Sequence, residues 1–89
     1  MIKFENKEAL TEYVDLWFDA LMRNTFHYKG DLNKEKDIKK FLKIKKISIT
    51  AERDVKEQDK FTYIILHKYK EKYRIVVDEE QMTFEETKL

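Results

Sequence analysis

The first third of the chain places apolar residues with the period of a helix. "MIKF" is a short extended stretch, and Asn6 then suits a helix N-cap, with Glu8 in the first turn where it favours the helix dipole. The apolar positions that follow recur at i, i+3, i+4 and i+7: Leu10, Tyr13, Val14, Trp17, Phe18 and Leu21. This pattern predicts an amphipathic helix that ends at Asn24 or continues to Lys29, with Gly30 as a left-handed cap.

A second pattern follows and then changes its period. "DLNKEKDIKKFLKI" predicts a shorter helix over about 32–43, capped by Asp31 or Asn33. "KISITAERDV", "FTYIILHKY" and "YRIVV" alternate with period two and are rich in β-branched and aromatic residues, as strands are. "QMTFEE" extends the third strand or forms a fourth. Short connections favour antiparallel neighbours, so we predict an α+β domain of order (β)ααβββ, with two helices packed on one face of a small antiparallel β-meander.

The last hairpin decides which side chains face the helices. A loop at 70–72 pairs Tyr69 with Tyr73 and turns both rings toward the first helix. The other face then carries three aliphatic residues, Ile64, Leu66 and Val76. We predict that this face is either covered by the segment 81–86 or is an apolar docking surface for a partner protein or for a second copy in a two-fold homodimer; long Lys and Arg stems that shield it are the alternative.

Composition restricts the class of protein. The chain has 89 residues, 42% of them hydrophobic and 42% charged, with one glycine and no proline, which favours a single compact domain over 1–89. No cysteine is present, which excludes disulfides, a thiolate nucleophile and thiolate metal sites. No signal peptide and no apolar run near the ~20 residues of a membrane span occur, so we expect a cytoplasmic protein that does not enter a membrane.

The net charge of +1 hides an uneven distribution. A meander brings 39–46 and 68–74 to the same end of the sheet, where basic residues outnumber acidic ones. Its candidate binding residues, which we call the basic end, are Lys43, Lys45, Lys46, Lys68, Lys70, Lys72 and Arg74. Lysines neutralise phosphates and tyrosines stack on bases, which favours a nucleic acid or an acidic partner. The alternative is a solvated hairpin tip whose tyrosines pack inward.

The first helix carries the opposite charge on its polar side. The candidate acidic face comprises Glu8, Glu12, Asp15 and Asp19. It suits docking of a basic protein partner or a weak divalent-cation site, although a solvated outer face has the same pattern. No calcium-loop signature is present, so we predict no metal site.

Recognisable catalytic motifs are absent. The only glycine is Gly30, which excludes a phosphate-binding glycine loop, and neither H-E-x-x-H nor G-x-S-x-G occurs. We therefore predict no catalytic residues and no cofactor. The alternative is that His27 and His67 cleave RNA by general acid–base chemistry.

The predicted order of elements supplies one resemblance. A strand, two helices and then an antiparallel sheet with "YRIVV" late in the chain resembles the ribosome-dependent mRNA-cleaving toxins of toxin–antitoxin systems. The resemblance covers the order of elements and about five residues. It implies a ribosome-dependent RNase, but it transfers no catalytic residue to this sequence.

Three functional hypotheses follow. The leading one is a small non-enzymatic protein that binds another protein as an inhibitor, adaptor or regulator. Small chains rich in Lys, Glu, Ile and Tyr are typical of low-GC bacteria and their phages, which suggests a phage or mobile-element origin. The first alternative is a nucleic-acid-binding module that uses the basic end, and the second is a toxin-like RNase.

Overall fold

The computed structural model describes residues 1–89. Its elements are β1 (Ile2–Lys3), α1 (Lys7–Ala20), a π-helical turn (Leu21–Thr25), α2 (Glu35–Lys45), β2 (Ile47–Arg53), β3 (Lys60–His67), β4 (Lys70–Asp78) and β5 (Thr83–Lys88). The five strands form one antiparallel sheet of order β1-β5-β4-β3-β2. The predicted α+β architecture is confirmed, and both ends of the chain add a strand. Neither helix has the length and apolar character needed to cross a bilayer.

The helix α1 lies over one face of the sheet, and Ile38, Phe41 and Leu42 of α2 pack against the same core. The rings of Tyr13 and Trp17 in α1 lie 4.9 and 6.0 Å from the ring of Phe84 in β5. Beyond α1, the Phe26 ring meets His67 of β3 edge-on at 5.9 Å. The buried core between these layers comprises Leu10, Leu21, Met22, Phe26, Tyr28, Ile47, Ile65, Ile75, Val77 and Phe84. The opposite side, which we call the outer face, has no helix over it.

The first helix starts where the sequence predicts and ends earlier. The Asn6 side chain accepts a hydrogen bond from the Ala9 N–H at 2.8 Å, as a helix N-cap does. The helix then widens into the π-turn, in which the Phe26 N–H donates to the Leu21 carbonyl at 3.0 Å. This wider turn lets Leu21 and Phe26 both reach the core. The predicted end at Asn24 lies one residue from the end of the π-turn at Thr25. The left-handed residue is His27, at φ 57°, so the continuation to Lys29 and the cap at Gly30 are wrong.

The second helix begins about one turn later than predicted. Its N-cap is Lys34, which makes no side-chain capping bond. Asp31 instead accepts a hydrogen bond from the Asn33 N–H at 2.8 Å and closes a local turn before the helix, so capping by Asp31 or Asn33 is wrong. At the other end, Lys46 takes the left-handed conformation and its N–H donates to the Leu42 carbonyl.

The register predicted for the β3–β4 hairpin is wrong. The turn consists of Lys68 and Tyr69, with φ of 55° and 69°, and not of residues 70–72. An irregularity at Lys72 then shifts the register, so Ile65 pairs with Tyr73. Tyr69 is consequently 82% exposed, whereas Tyr73 packs against the core as predicted. A tight hairpin needs positive φ at both turn residues, and no Asn-Gly or Asp-Gly marks this one in the sequence.

The segment 81–86 does not cover the outer face. It leads into β5, which pairs with β4 and, at its start, with β1. Phe84 lies in the core beneath α1 and is 2% exposed. The Trp17 indole N–H donates to the Glu86 carboxylate at 2.9 Å and ties α1 to this strand. This segment therefore does not cover the outer face, whose aliphatic residues Ile64, Leu66 and Val76 are half-buried.

The one glycine has a steric role instead of a conformational one. Gly30 does not have positive φ, but a Cβ there would lie 2.6 Å from Cζ of Tyr28. Tyr28 is buried, and its hydroxyl donates to the Asp31 carbonyl at 3.2 Å. We expect Gly30→Ala to lower the unfolding free energy by about 1–3 kcal/mol in urea denaturation. Lys29→Ala, at the exposed neighbour, should stay within about 0.5 kcal/mol; equal stability of the two variants would contradict the contact.

Candidate functional site

A cleft of about 690 Å³ opens at one end of the sheet. It lies where four segments meet: the end of the π-turn, the end of α2, the start of β2 and the β3–β4 turn. Its lining comprises Thr25, Phe26, His27, Ile44, Lys45, Lys46, Ile47, His67, Lys68 and Tyr69. Three lysines and two histidines line this cleft, and no carboxylate does.

Unusual backbone conformations concentrate in this cleft. His27, Lys46, Lys68 and Tyr69 have φ of 57°, 58°, 55° and 69°. Met82 is the only other non-glycine residue with positive φ. Each such residue costs on the order of 1 kcal/mol or more, and these conformations persist only where the surrounding structure holds them. Such strain is found preferentially at binding and catalytic sites, which makes the cleft the first candidate site.

Main-chain hydrogen bonds hold the walls of the cleft. The Lys68 N–H donates to the Lys46 carbonyl at 2.8 Å and joins the hairpin turn to the start of β2. On the opposite wall, Tyr28 donates its N–H to Met22 at 2.8 Å and accepts a bond from the Arg23 guanidinium at 2.9 Å. These bonds use no lysine side chain, so the lysines of the cleft remain available to a ligand.

The lysines of the basic end have no acidic partners. None of Lys43, Lys45, Lys46, Lys68, Lys70 and Lys72 lies within 4.0 Å of a carboxylate oxygen, while five other basic residues do. Arg74 is one of those five, and its guanidinium lies 3.0 Å from Glu71. Uncompensated positive charge at one end of a small protein attracts anions.

The structure brings together some of the predicted residues and separates others. Lys45, Lys46 and Lys68 line the cleft. Lys43, Lys70 and Lys72 are exposed close to it along the chain. Arg74 pairs with Ile64 of β3 on the outer face, away from the cleft.

The cleft also contains residues that the sequence did not assign to the basic end. The sequence suggests His27 and His67 only as an RNase pair, and in the structure they line the same cleft. Thr25 and Ile44 also line it, and no sequence pattern marks them. No sequence signal places residues 25–27 at this end, because the π-turn that carries them there depends on packing.

The acidic face of α1 forms a second, shallower feature. Glu8, Glu12 and Asp15 line a groove of about 570 Å³ with Lys7 and Thr11, and Asp19 lies one turn further on. No three His, Cys, Asp or Glu side chains lie close enough together to hold a metal ion. The hydrogen bond from Lys7 to Glu79, at 2.8 Å, raises the pKa of the Lys7 ammonium.

The outer face and the edge strand β2 form a third feature. Ile64, Leu66 and Val76 are partly exposed and do not belong to the core cluster. Beside them, β2 is the last strand of the sheet and pairs only with β3. The outer face therefore ends at an open edge.

Hydrogen bonds at the two ends of β2 fix which main-chain groups reach that edge. Lys46 accepts from Lys68 at 2.8 Å, and Asp54 donates to Lys60 at 2.9 Å. Hydrogen bonding alternates along an antiparallel pair of strands. Every second residue from Lys46 to Asp54 therefore forms its main-chain hydrogen bonds with β3. The residues whose N–H and C=O groups point to the open edge are Ile47, Ile49, Ala51 and Arg53.

No family model, curated protein or solved structure matches this chain. The candidate sites on this chain are the cleft, the outer face and the open edge of β2.

Proposed function

We propose that this is a non-enzymatic protein that binds another protein, as an inhibitor, adaptor or regulator, at the open edge of β2. The observation that carries the proposal is a strand of seven residues with an unprotected edge beside an apolar face. Edge strands are usually protected by charges, proline or bulges. Here "ISITA" offers none of these over its first five residues, and only Glu52 and Arg53 at its end are charged.

The geometry indicates the kind of partner. A segment added to β2 gains main-chain hydrogen bonds at the four free positions, and its alternate side chains lie on the outer face. That face presents Ser48 and Thr50 on β2 and then Ile64 and Leu66 on β3. Lys45 and Lys46 immediately precede the strand. The partner is therefore an extended segment with apolar residues at alternate positions and acidic residues at the end near these lysines.

Two variants test this mode of binding. Ala51→Pro removes an N–H at the open edge, where proline is tolerated, and Leu66→Glu places a charge on the outer face. We expect each to reduce capture of the partner from a host lysate at least about tenfold, whereas Ala51→Ser retains capture. Hydrogen exchange should show new protection at Ile49 and Ala51 in the complex.

Two outcomes would count against this proposal. Capture that is unchanged in Ala51→Pro and Leu66→Glu, or no recovery above background at low and moderate salt, would reject binding at the edge. Sedimentation equilibrium at micromolar concentration tests the homodimer. A dimer that Ala51→Pro dissociates would show that the occupant of the edge is a second copy instead of a different protein.

A second candidate function, nucleic-acid binding at the basic end, is favoured by the position of Tyr69. Tyr69 is 82% exposed in the turn, next to Lys68 and close to Lys70, which have no acidic partner. An exposed ring beside free lysines can stack on a base while the lysines contact phosphates, as single-strand-binding surfaces do. Arg74 is excluded from this surface because Glu71 already neutralises it.

Gel shifts with single-stranded RNA and DNA test this candidate. Replacing Lys68, Lys70 and Lys72 with serine should weaken binding and reduce the slope of log K against log salt, by up to about 0.7 for each lost phosphate contact. The control changes three exposed lysines elsewhere to serine: Lys3, Lys36 and Lys56. No binding at ~50 mM salt would reject the candidate. RNA cleavage in a ribosome-containing translation assay, abolished by His67→Ala, would replace it with the RNase alternative.

A further inference from the structure

We infer that the cleft at the basic end is a nucleotide-binding site, which holds the phosphate beside its lysines and the base beside its apolar side chains. The inference depends on the second candidate function, nucleic-acid binding. It adds that the bound unit is a nucleotide and that the cleft is where it binds. It concerns a nucleoside phosphate, either free or as part of a strand.

The charged part of the lining selects an anion. Lys45, Lys46 and Lys68 contribute three ammonium groups without acidic partners, and His27 and His67 add imidazole nitrogens that can hydrogen-bond to a phosphate. No carboxylate lines the cleft to compete for these groups or to repel a phosphate. A phosphate with one or two negative charges fits this environment.

The rest of the lining selects an apolar, flat group next to the anion. Phe26, Ile44 and Ile47 line the cleft, and Ile44 is 68% exposed although it is aliphatic. Tyr69 lies at the cleft and is 82% exposed. The volume of about 690 Å³ falls within the ~300–1,000 Å³ usual for small-molecule sites. A nucleobase can bury this apolar surface and stack on the tyrosine.

The hairpin turn supports a role for its side chains. Lys68 and Tyr69 both have positive φ, a conformation that asparagine and glycine adopt more easily. Departures from the preferred residues are expected at functional or strained sites. Lys46 and His27, on the other walls of the cleft, also have positive φ although neither is asparagine or glycine. All four carry a cation, an imidazole or an aromatic ring into the lining of one cleft.

Charge outside the cleft favours a nucleotide over a phosphotyrosine peptide. Both ligands offer a phosphate and a ring, so the lining alone does not separate them. Lys43, Lys70 and Lys72 continue the series of unpaired cations near the cleft. A row of free lysines suits the repeated phosphates of a strand, whereas a single phosphorylated side chain would leave them without a partner.

A titration of the ¹⁵N-labelled full chain followed by NMR tests the inference. The probes are AMP, adenosine, inorganic phosphate and O-phospho-L-tyrosine. We expect AMP to shift the amides of His27, Lys46 and Lys68, and to bind at least about tenfold more tightly than each of the other three. Adenosine lacks the phosphate and inorganic phosphate lacks the ring, so the site should need both parts. Equal affinity for O-phospho-L-tyrosine would overturn the assignment to a nucleotide.

Variants that retain the backbone conformation separate binding from folding. Asparagine tolerates the left-handed region, so Lys46→Asn and Lys68→Asn should stay folded and lose at least about tenfold in AMP affinity. Ile44→Ser should also weaken AMP, and it replaces an exposed residue. Lys56→Asn, an exposed lysine outside the cleft, is the matched control and should bind AMP like the natural chain.

The source of the nucleotide is tested with hexameric RNA that carries a 5′-phosphate or a 5′-hydroxyl. If the 5′-phosphorylated strand binds more tightly than the 5′-hydroxyl strand, the site holds a strand end. If AMP binds with the same affinity as both strands, the site holds a free nucleotide. Strand binding without shifts at His27, Lys46 and Lys68 would overturn the inference and leave nucleic-acid binding intact. No binding by AMP or by either strand would overturn both.

Discussion

The Phe84→Ala variant should lose about 3–5 kcal/mol of unfolding free energy, the largest effect of any single substitution proposed for this chain. Phe84 is 2% exposed and lies opposite Val77 in the sheet. Its ring packs 4.9 Å from Tyr13 and 6.0 Å from Trp17. Removal would leave a cavity between α1 and β5, whose lining loses its contacts because a packed interior relaxes only in part.

Urea denaturation and thermal melting would measure this loss. For a domain of this size each kcal/mol corresponds to roughly 4–8 °C, so the midpoint should fall by about 12–40 °C. Phe84→Leu keeps most of the volume and should cost less than about 1.5 kcal/mol. Val55→Ala, at a residue that is 89% exposed, should stay within about 0.5 kcal/mol. A loss below ~1 kcal/mol in Phe84→Ala would mean that β5 does not pack under α1 in solution.

The role of Phe84 shows where sequence patterns were sufficient and where they were not. Spacing alone assigns Leu10, Trp17 and Ile65 to their elements, because each element buries one face and that face repeats with the period of the element. "QMTFEE" is too short for its period to decide whether it forms a strand of its own. The burial of Phe84 against Tyr13 decides it, and that contact joins residues far apart in the sequence.

Turns and helix ends were harder to predict for a related reason. The sequence has one glycine and no proline, so the usual markers of turns are missing. The structure reverses its direction with His27, Lys46, Lys68, Tyr69 and Met82 in the left-handed region. Their conformations are imposed by packing and by main-chain bonds such as that from Lys68 to Lys46. No local pattern signals such a residue.

The candidate site was partly predictable for the same physical reasons. The lysines of the basic end followed from the meander, because an antiparallel order alone places the start of β2 beside the end of β3. The exposure of Tyr69 did not follow, because it depends on a turn two residues earlier than predicted. That difference changes the functional argument: a ring expected in the core is instead available to a ligand.

Replacing Lys68 and Tyr69 together with Asn-Gly should make the protein more stable and less able to bind. Asn-Gly is the preferred pair for a two-residue hairpin turn with positive φ at both positions, so we expect a gain of about 1–2 kcal/mol in unfolding free energy. Little packing is lost, because Tyr69 is 82% exposed. Urea denaturation measures the gain. AMP and RNA affinity should fall at least about tenfold, since a free ammonium group and the exposed ring leave the cleft.

Met82→Gly is the matched control for the binding half of this prediction. It changes the one left-handed non-glycine residue that lies outside the cleft, so AMP and RNA affinity should remain unchanged.

Two results of the Asn-Gly experiment would contradict the prediction. An Asn-Gly variant that binds like the natural chain would identify residues 67–74 as a solvated hairpin tip. A variant that is less stable than the natural chain would show that the turn does not hold both residues in the left-handed region. A gain in stability with a loss of binding would show that the side chains of Lys68 and Tyr69 serve binding, although the backbone conformation of the turn favours other residues.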